Sequence, residues 1–360
     1  MAWSRVLTFT DPLSCQVAIL SADVEILPTT GKTFQAEITQ VGTDRLLTQH
    51  FRVSSPQVCT IACKAGRQSI DFLTEANSSP LQHCGAEVLP GDIIVNAFDV
   101  VHRRSGSNLD YGSISVSLDQ LHPAFAAIMG GDFMQRAGPP IIHPRPELTS
   151  RLLKLHKVVG RLAHETPDIL QVPEVLRALE NELIYTMSRC LAESRVVETS
   201  KGHPQHKAII ARFEEFLATN WDRPLHLTEI CAGIGVAERT LRCACERHLG
   251  MGPIRFLTLR RMHLVRRALL EADSSTSTVT RIVADHGFWE LGRFSVSYRA
   301  LYGESPSETL RSTARGSERH ADGPSALAAH LMTANPRPNR ALDRRRSFFN
   351  GREGNLAWTA

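Results

Sequence analysis

Ile282-Val-Ala-Asp-His-Gly-Phe-Trp-Glu-Leu-Gly-Arg-Phe-Ser-Val-Ser-Tyr-Arg-Ala-Leu-Tyr-Gly-Glu-Ser-Pro306 decides how the second half of this 360-residue chain folds. A short apolar helix, predicted over Val279–Asp285, runs into the His286-Gly287 turn. A second helix, predicted from about Glu290 to Leu301, places Leu291, Phe294, Tyr298 and Leu301 on one face, at helical spacing. Gly303-Glu-Ser-Pro306 then closes it, because glycine adopts the backbone that ends a helix and proline cannot continue one.

The same punctuation occurs earlier. Ile230-Cys-Ala-Gly-Ile-Gly-Val236 lies against Ile282–Phe288 at an offset of 52 residues. Past the turn the offset is 53, so Leu241 matches Phe294, Cys245 matches Tyr298, Gly250 matches Gly303 and Pro253 matches Pro306. In this first copy a short helix is predicted over Leu227–Cys231 with Thr228 as N-cap, and a longer one over Ala237–Leu249. Each copy has the pattern of a helix-turn-helix, whose second helix enters the major groove of DNA. Between the copies, Ile254–Glu271 reads as a basic helix carrying Arg255, Arg260, Arg261, Arg266 and Arg267. At 1.5 Å per residue it spans roughly 27 Å. That suits two readers held about one DNA turn apart, ~34 Å.

These residues resemble the AraC/XylS family of transcriptional regulators over about residues 207–310. The resemblance is carried by Ile282–Pro306, and by Gly235-Val-Ala-Glu-Arg-Thr-Leu241 with Gly250-Met-Gly-Pro253. Two departures stand out: Cys245 where the first motif usually has a large aromatic, and Gly292 inside the second reading helix, at a cost of roughly 1 kcal/mol relative to Ala. The resemblance implies double-stranded DNA as partner, RNA polymerase as a second one, and an unidentified small-molecule effector acting through the first half. Whether a second copy of the chain pairs through that half is left open.

Residues of the reading helices that point away from the apolar stripe are Glu238, Arg239, Arg242, Cys243 and Glu246 in the first copy. In the second they are Glu290, Gly292, Arg293, Val296 and Ser297. Arginine grips guanine through O6 and N7, so Arg239, Arg242 and Arg293 are the candidates for base edges. Thr240 and Arg299 are candidates for the phosphate backbone, and Glu290 and Ser297 complete the candidate DNA-binding set.

The charge balance agrees. Net charge is +4 overall, but residues 1–200 sum to −4, residues 201–315 to +5 and the tail from 316 to +3. An acidic half joined to an arginine-rich half points to nucleic-acid binding in the second.

From Cys15 to Leu118 short β-type runs alternate with turns such as Pro28-Thr-Thr-Gly31 and Pro90-Gly-Asp92. Strands are predicted over Val17–Leu27, Phe34–Val41, Leu46–Val53, Val58–Cys63, Ser69–Leu73, Ile93–Phe98 and Ser113–Leu118, as an antiparallel barrel or sandwich. Helices follow over Glu147–Val159 and Pro173–Leu191. The apolar stripe of the second, from Val175 to Met187, is expected to pack on its own domain rather than form a dimer seam. The expected class is α+β: a β-rich, cupin-like barrel with following helices, then an all-α domain of two helix-turn-helix motifs joined by a long helix. The expected boundaries are 1–193 for a sensing or dimerisation domain, 194–206 for a linker, 207–315 for the DNA reader and 316–360 for a disordered tail.

Other chemistries find little support. His50, His83 and His102 stand apart, without the His-x-His pair on which cupin enzymes hold metal, so neither a metal nor a cofactor is expected. There is no nucleophile elbow and no phosphate-cradling glycine loop. The eight cysteines show no Cys-x-x-Cys pair and are expected as reduced thiols. No apolar run approaches the ~18 residues of a membrane span and no secretory leader is read, so a cytoplasmic non-enzyme is expected. Two alternatives remain: a regulator without any small ligand, controlled by partner proteins, and a metal-dependent cupin enzyme fused to a DNA reader.

Overall fold

The computed structural model describes residues 2–31, 33–75, 78–96, 100–130, 141–196, 203–220 and 225–318. The Pro139-Pro140 break, the end of the strand predicted to Phe98, residues 197–202 of the predicted linker and nearly all of the predicted tail lie outside those residues.

The first half opens with β1 (Trp3–Phe9), α1 (Pro12–Val17), β2 (Ala22–Pro28), β3 (Ala36–Gly42), β4 (Leu46–Val53), β5 (Gln57–Cys63) and β6 (Arg67–Leu73). Short strands β7 (Leu81–His83), β8 (Ala86–Val88) and β9 (Ile93–Val95) precede β10 (Val100–Ser105) and β11 (Leu109–Ser117). Then come α2 (Leu118–Met129), β12 (Ile141–His143), α3 (Pro146–Glu165), α4 (Pro173–Ala192) and β13 (Arg195–Val196).

The strands form two antiparallel sheets, ordered β1-β3-β4-β11-β6-β9-β12-β13 and β2-β5-β10-β7-β8. The β-rich half is as expected, but its strands do not close into one barrel. The three-residue links Ser54–Pro56 and Lys64–Gly66 are the reason: each passes the chain to the opposite sheet, so β4, β5 and β6 alternate between them. Ile26, Ile38, Phe51, Ile61 and Val101, drawn from both sheets, form one buried cluster.

Residues 12–17, next to the strand predicted from Val17, are helical. Asp11 caps that helix by accepting from the Ser14 N–H at 2.9 Å, and Pro12 takes the first turn, so β2 starts only at Ala22. Helices α3 and α4 cover the larger sheet, and Leu183, Ile184 and Met187 join the Phe72–Ile114 core. The α4 stripe therefore packs within the chain.

The second half is helical: α5 (His203–Thr219), α6 (Leu227–Ile234), α7 (Glu238–Leu249), α8 (Pro253–Glu271), α9 (Val279–Asp285), α10 (Leu291–Tyr302) and α11 (Pro306–Glu318). It has two cores. Phe213, Ile230, Leu241, Cys245 and Phe256 hold α5–α8 together, with Leu27 and Val58 of the small sheet packed among them. Val265, Leu269, Val283, Phe294 and Tyr298 hold the end of α8 to α9 and α10.

Candidate nucleic-acid interface

The repeat read from sequence is a repeat in three dimensions. All four aligned glycines, Gly235, Gly250, Gly287 and Gly303, have φ between 64° and 77°, the left-handed backbone that glycine adopts without a Cβ penalty. They end α6, α7, α9 and α10 and set the turn geometry of both motifs. Thr278 caps α9, its side chain accepting from the Arg281 N–H. In the first motif the predicted cap is displaced: α6 begins at Leu227 after His226, and Thr228 lies inside the helix on an exposed face.

The reading helices bury one stripe each and expose the other. In α7, Leu241, Ala244, Cys245, His248 and Leu249 are buried. In α10 the buried residues are Phe294, Tyr298 and Leu301. Leu291, expected in that stripe, is instead 37 % exposed, because it is the first residue of α10 and projects past the core. The aromatic substitution noted at Cys245 changes wiring rather than burial. Cys245 is fully buried, whereas the Tyr298 hydroxyl at the matching position is bonded to Thr309 Oγ1 at 2.9 Å and approached by Arg266 at 3.4 Å.

Arg239, Arg242, Arg293, Ser297 and Arg299 are exposed, as is Glu290, and Thr240 is half-buried. Arg242 pairs with Glu238 at 2.8 Å one turn back, and Arg293 with Glu290 at 2.8 Å. Exposed pairs of this kind are worth ~1 kcal/mol or less, so phosphate or guanine can displace the glutamates. A Cβ at Gly292 would meet nothing, so the α10 surface is smooth beside Arg293. Sequence reasoning missed Trp289, which is 78 % exposed where the chain enters α10. Its signal was an aromatic directly after Phe288 but outside the helical apolar spacing.

The arginines of α8 have a different fate. Arg266 is buried between Asp11 at 3.0 Å and Glu304 at 2.7 Å, with its guanidinium over the Tyr302 ring at 4.6 Å. Arg260 lies 3.9 Å from Glu25, Arg255 donates to the Thr29 carbonyl, Arg261 sits over the Phe288 ring and Arg267 is 4.0 Å from Glu271. Asp11, Glu25 and Thr29 belong to the β-rich half, so α8 joins the two halves as well as the two readers.

The β-rich half also touches the C-terminal ends of both reading helices. A Cβ on Gly31 would collide with the Ala300 carbonyl oxygen, so only glycine fits there, and Gly85 packs against Arg247. At the same boundary His102 on β10 and Glu214 on α5 are 3.1 Å apart, both buried. Burial works to raise the Glu214 carboxyl, but the hydrogen bond and charge of His102 outweigh it and hold the group below its ordinary range. The other histidines weighed from sequence are dispersed: His50 bonds to Asp110 at 2.7 Å, and His83 is buried on β7. Among the described residues no group of three or more His, Cys, Asp or Glu is placed to hold a metal ion, and no helix is long and apolar enough to cross a membrane.

Two tandem helix-turn-helix units on one connecting helix define a double-reader DNA-binding domain. Residues 230–312 match the family model described as a helix-turn-helix domain. The chain is 31% identical over 175 residues to the "Probable thc operon regulatory protein" of Rhodococcus erythropolis, covering 44% of this chain and 51% of that one. It is also 31% identical over 112 residues to the "XylDLEGF operon transcriptional activator" of Pseudomonas putida, covering 31% and 34%. The chain thus spans between a third and a half of the length of these curated relatives. Among solved structures it is similar to the AraC-like transcriptional activator CuxR, at 16% identity and a TM-score of 0.38 over 74% of this chain and 95% of that one. The likeness to these regulators lies in the C-terminal helix-turn-helix domain, residues 230–312.

Proposed function

We propose that the chain is a sequence-specific DNA-binding transcriptional regulator whose β-rich half senses a small effector. The sorting of its arginines carries this reading. Arg260, Arg261 and Arg266 of α8 are held by carboxylates and rings elsewhere in the chain, while Arg239, Arg242 and Arg293 stand exposed on the two reading helices, the last two in weak surface pairs. Arg239, Arg242 and Arg293 read base edges, Thr240, Ser297 and Arg299 position the helices on phosphates, and Glu290 releases Arg293 when DNA arrives.

Residues 1–193 serve as the sensing domain, 194–206 as the linker and 207–315 as the reader, with 316–360 outside it. The chain acts by equilibrium binding rather than catalysis, with RNA polymerase as the downstream partner and a second copy of the chain able to occupy an adjacent site. Selection from a random duplex pool with the purified chain tests this. Two conserved blocks about 10 base pairs apart are expected; a pool without enrichment, or with one block only, rejects the double reader.

A further inference from the structure

Between the two sheets of the β-rich half lies a small cavity lined by residues of both. Its walls are mostly apolar, with Ile26, Phe51, Ile61 and Tyr111 among them. Polar side chains interrupt these walls, and four of them carry an atom without a partner. Gln57 Oε1, Ser69 Oγ, Ser105 Oγ and Arg103 Nε are buried and bond to nothing, although each residue is at most 6 % exposed. A buried polar group without a partner costs about 1–3 kcal/mol. Four such atoms among the residues lining one cavity offer donors and acceptors to a polar ligand.

The charges in the wall cancel. Arg103 is bonded through its terminal nitrogen to Asp71, which also accepts from the Asn96 amide at 2.7 Å. The thiols of Cys15, Cys59 and Cys63 are pushed by burial up to about 12, and burial also raises the Tyr111 phenol, so all four are neutral near pH 7. An entering carboxylate would find the guanidinium already compensated, and an entering ammonium would find Asp71 already taken. Either would lose its hydration without gaining a counter-charge.

We infer that this cavity binds a small uncharged molecule of the amide, urea or lactam class. Its carbonyl accepts from Arg103 Nε–H and a serine hydroxyl, its N–H donates to Gln57 Oε1, and its apolar body lies against Ile26, Phe51 and Ile61. The inference rests on the sensing role proposed for the β-rich half and specifies the chemistry of the effector.

Benzamide, benzoate and benzylamine share a ring and differ in charge, which makes them a direct probe. Titrated into the full chain by calorimetry and ligand-observed NMR, benzamide is expected to bind at least tenfold more tightly than the other two. Gln57→Leu and Ser69→Ala should each weaken it several-fold, and Gln49→Leu, a buried amide outside the cavity, should not. Benzoate or benzylamine binding as well as benzamide, no binding of any probe at 10 mM, or a loss equal in Gln49→Leu overturns the inference. Duplex selection on the same preparation separates the two proposals. Enriched DNA without benzamide binding removes only the ligand class, and benzamide binding without enriched DNA removes only the regulator.

Discussion

Arg239 and Arg293 stand one position apart in the aligned repeat, in the first turns of α7 and α10, and the two-reader geometry makes their losses local. Arg239→Ala and Arg293→Ala should each cost roughly 1–3 kcal/mol, at different base pairs about 10 apart. Affinity of wild type and both variants for a library of single-base operator changes measures this. Relaxation at the same base pairs by both would refute it, and a uniform loss for Arg293→Ala would make α10 an anchor. His156 gives a residue-scale prediction of another kind. Burial pushes its imidazole down to about 4, against a partial upward pull from its bond to the Gln49 carbonyl at 3.0 Å. A depressed folded value means the neutral ring favours folding above about pH 6.5, and this contribution is lost as pH falls towards 4. The drop amounts to about 3 kcal/mol. Urea unfolding of the wild type between pH 7.5 and 4.5 should show it, and His156→Gln should flatten the profile.

At the scale of elements, the caps distinguish the two motifs. Thr278→Ala removes the side-chain bond at the start of α9 and should cost about 1 kcal/mol of stability. Thr228→Ala, at the position predicted from sequence as the matching cap, should stay within about 0.5 kcal/mol because Thr228 lies inside α6 on its exposed face. Thermal denaturation of the two variants side by side decides it, and equal losses would move the start of α6 to Thr228. The sequence located α9 to the residue and α8 to within one, because their boundaries carry Thr, Gly and Pro. The start of α6 follows His226, which caps nothing, and local chemistry left it unmarked.

At the scale of the molecule, the boundary between the halves is held by buried charge. Glu214→Ala strands His102 without its partner and should cost about 3–5 kcal/mol, whereas replacing both by leucine should recover most of that loss. Hydrogen exchange should quicken in β10 and α5 together in the single variant and return towards wild type in the double one. Exchange quickened in α5 alone would show the pair to be no joint between the halves. Acid acts in the same direction: Glu214 is held below its ordinary range, so its contribution is present above about pH 4.5 and lost as pH falls through the lowered value.

Local chemistry settled most of the reader. Four glycines requiring left-handed backbone and two Gly-x-x-Pro endings are short-range signals that recur in the fold, and helix periodicity places the buried stripes except at Leu291. The outward faces of α7 and α10, with Arg239, Arg242 and Arg293, followed from the same periodicity. Tertiary structure decided what depends on partners distant in the chain. It divided the strands between two sheets and drew Arg266 to Asp11, 255 residues away. It also set His102 against Glu214 and gathered Gln57, Ser69, Arg103 and Ser105 around one cavity. Strand alternation specifies which face is buried but not which sheet receives it, and an arginine's spacing along a helix does not reveal which carboxylate will reach it.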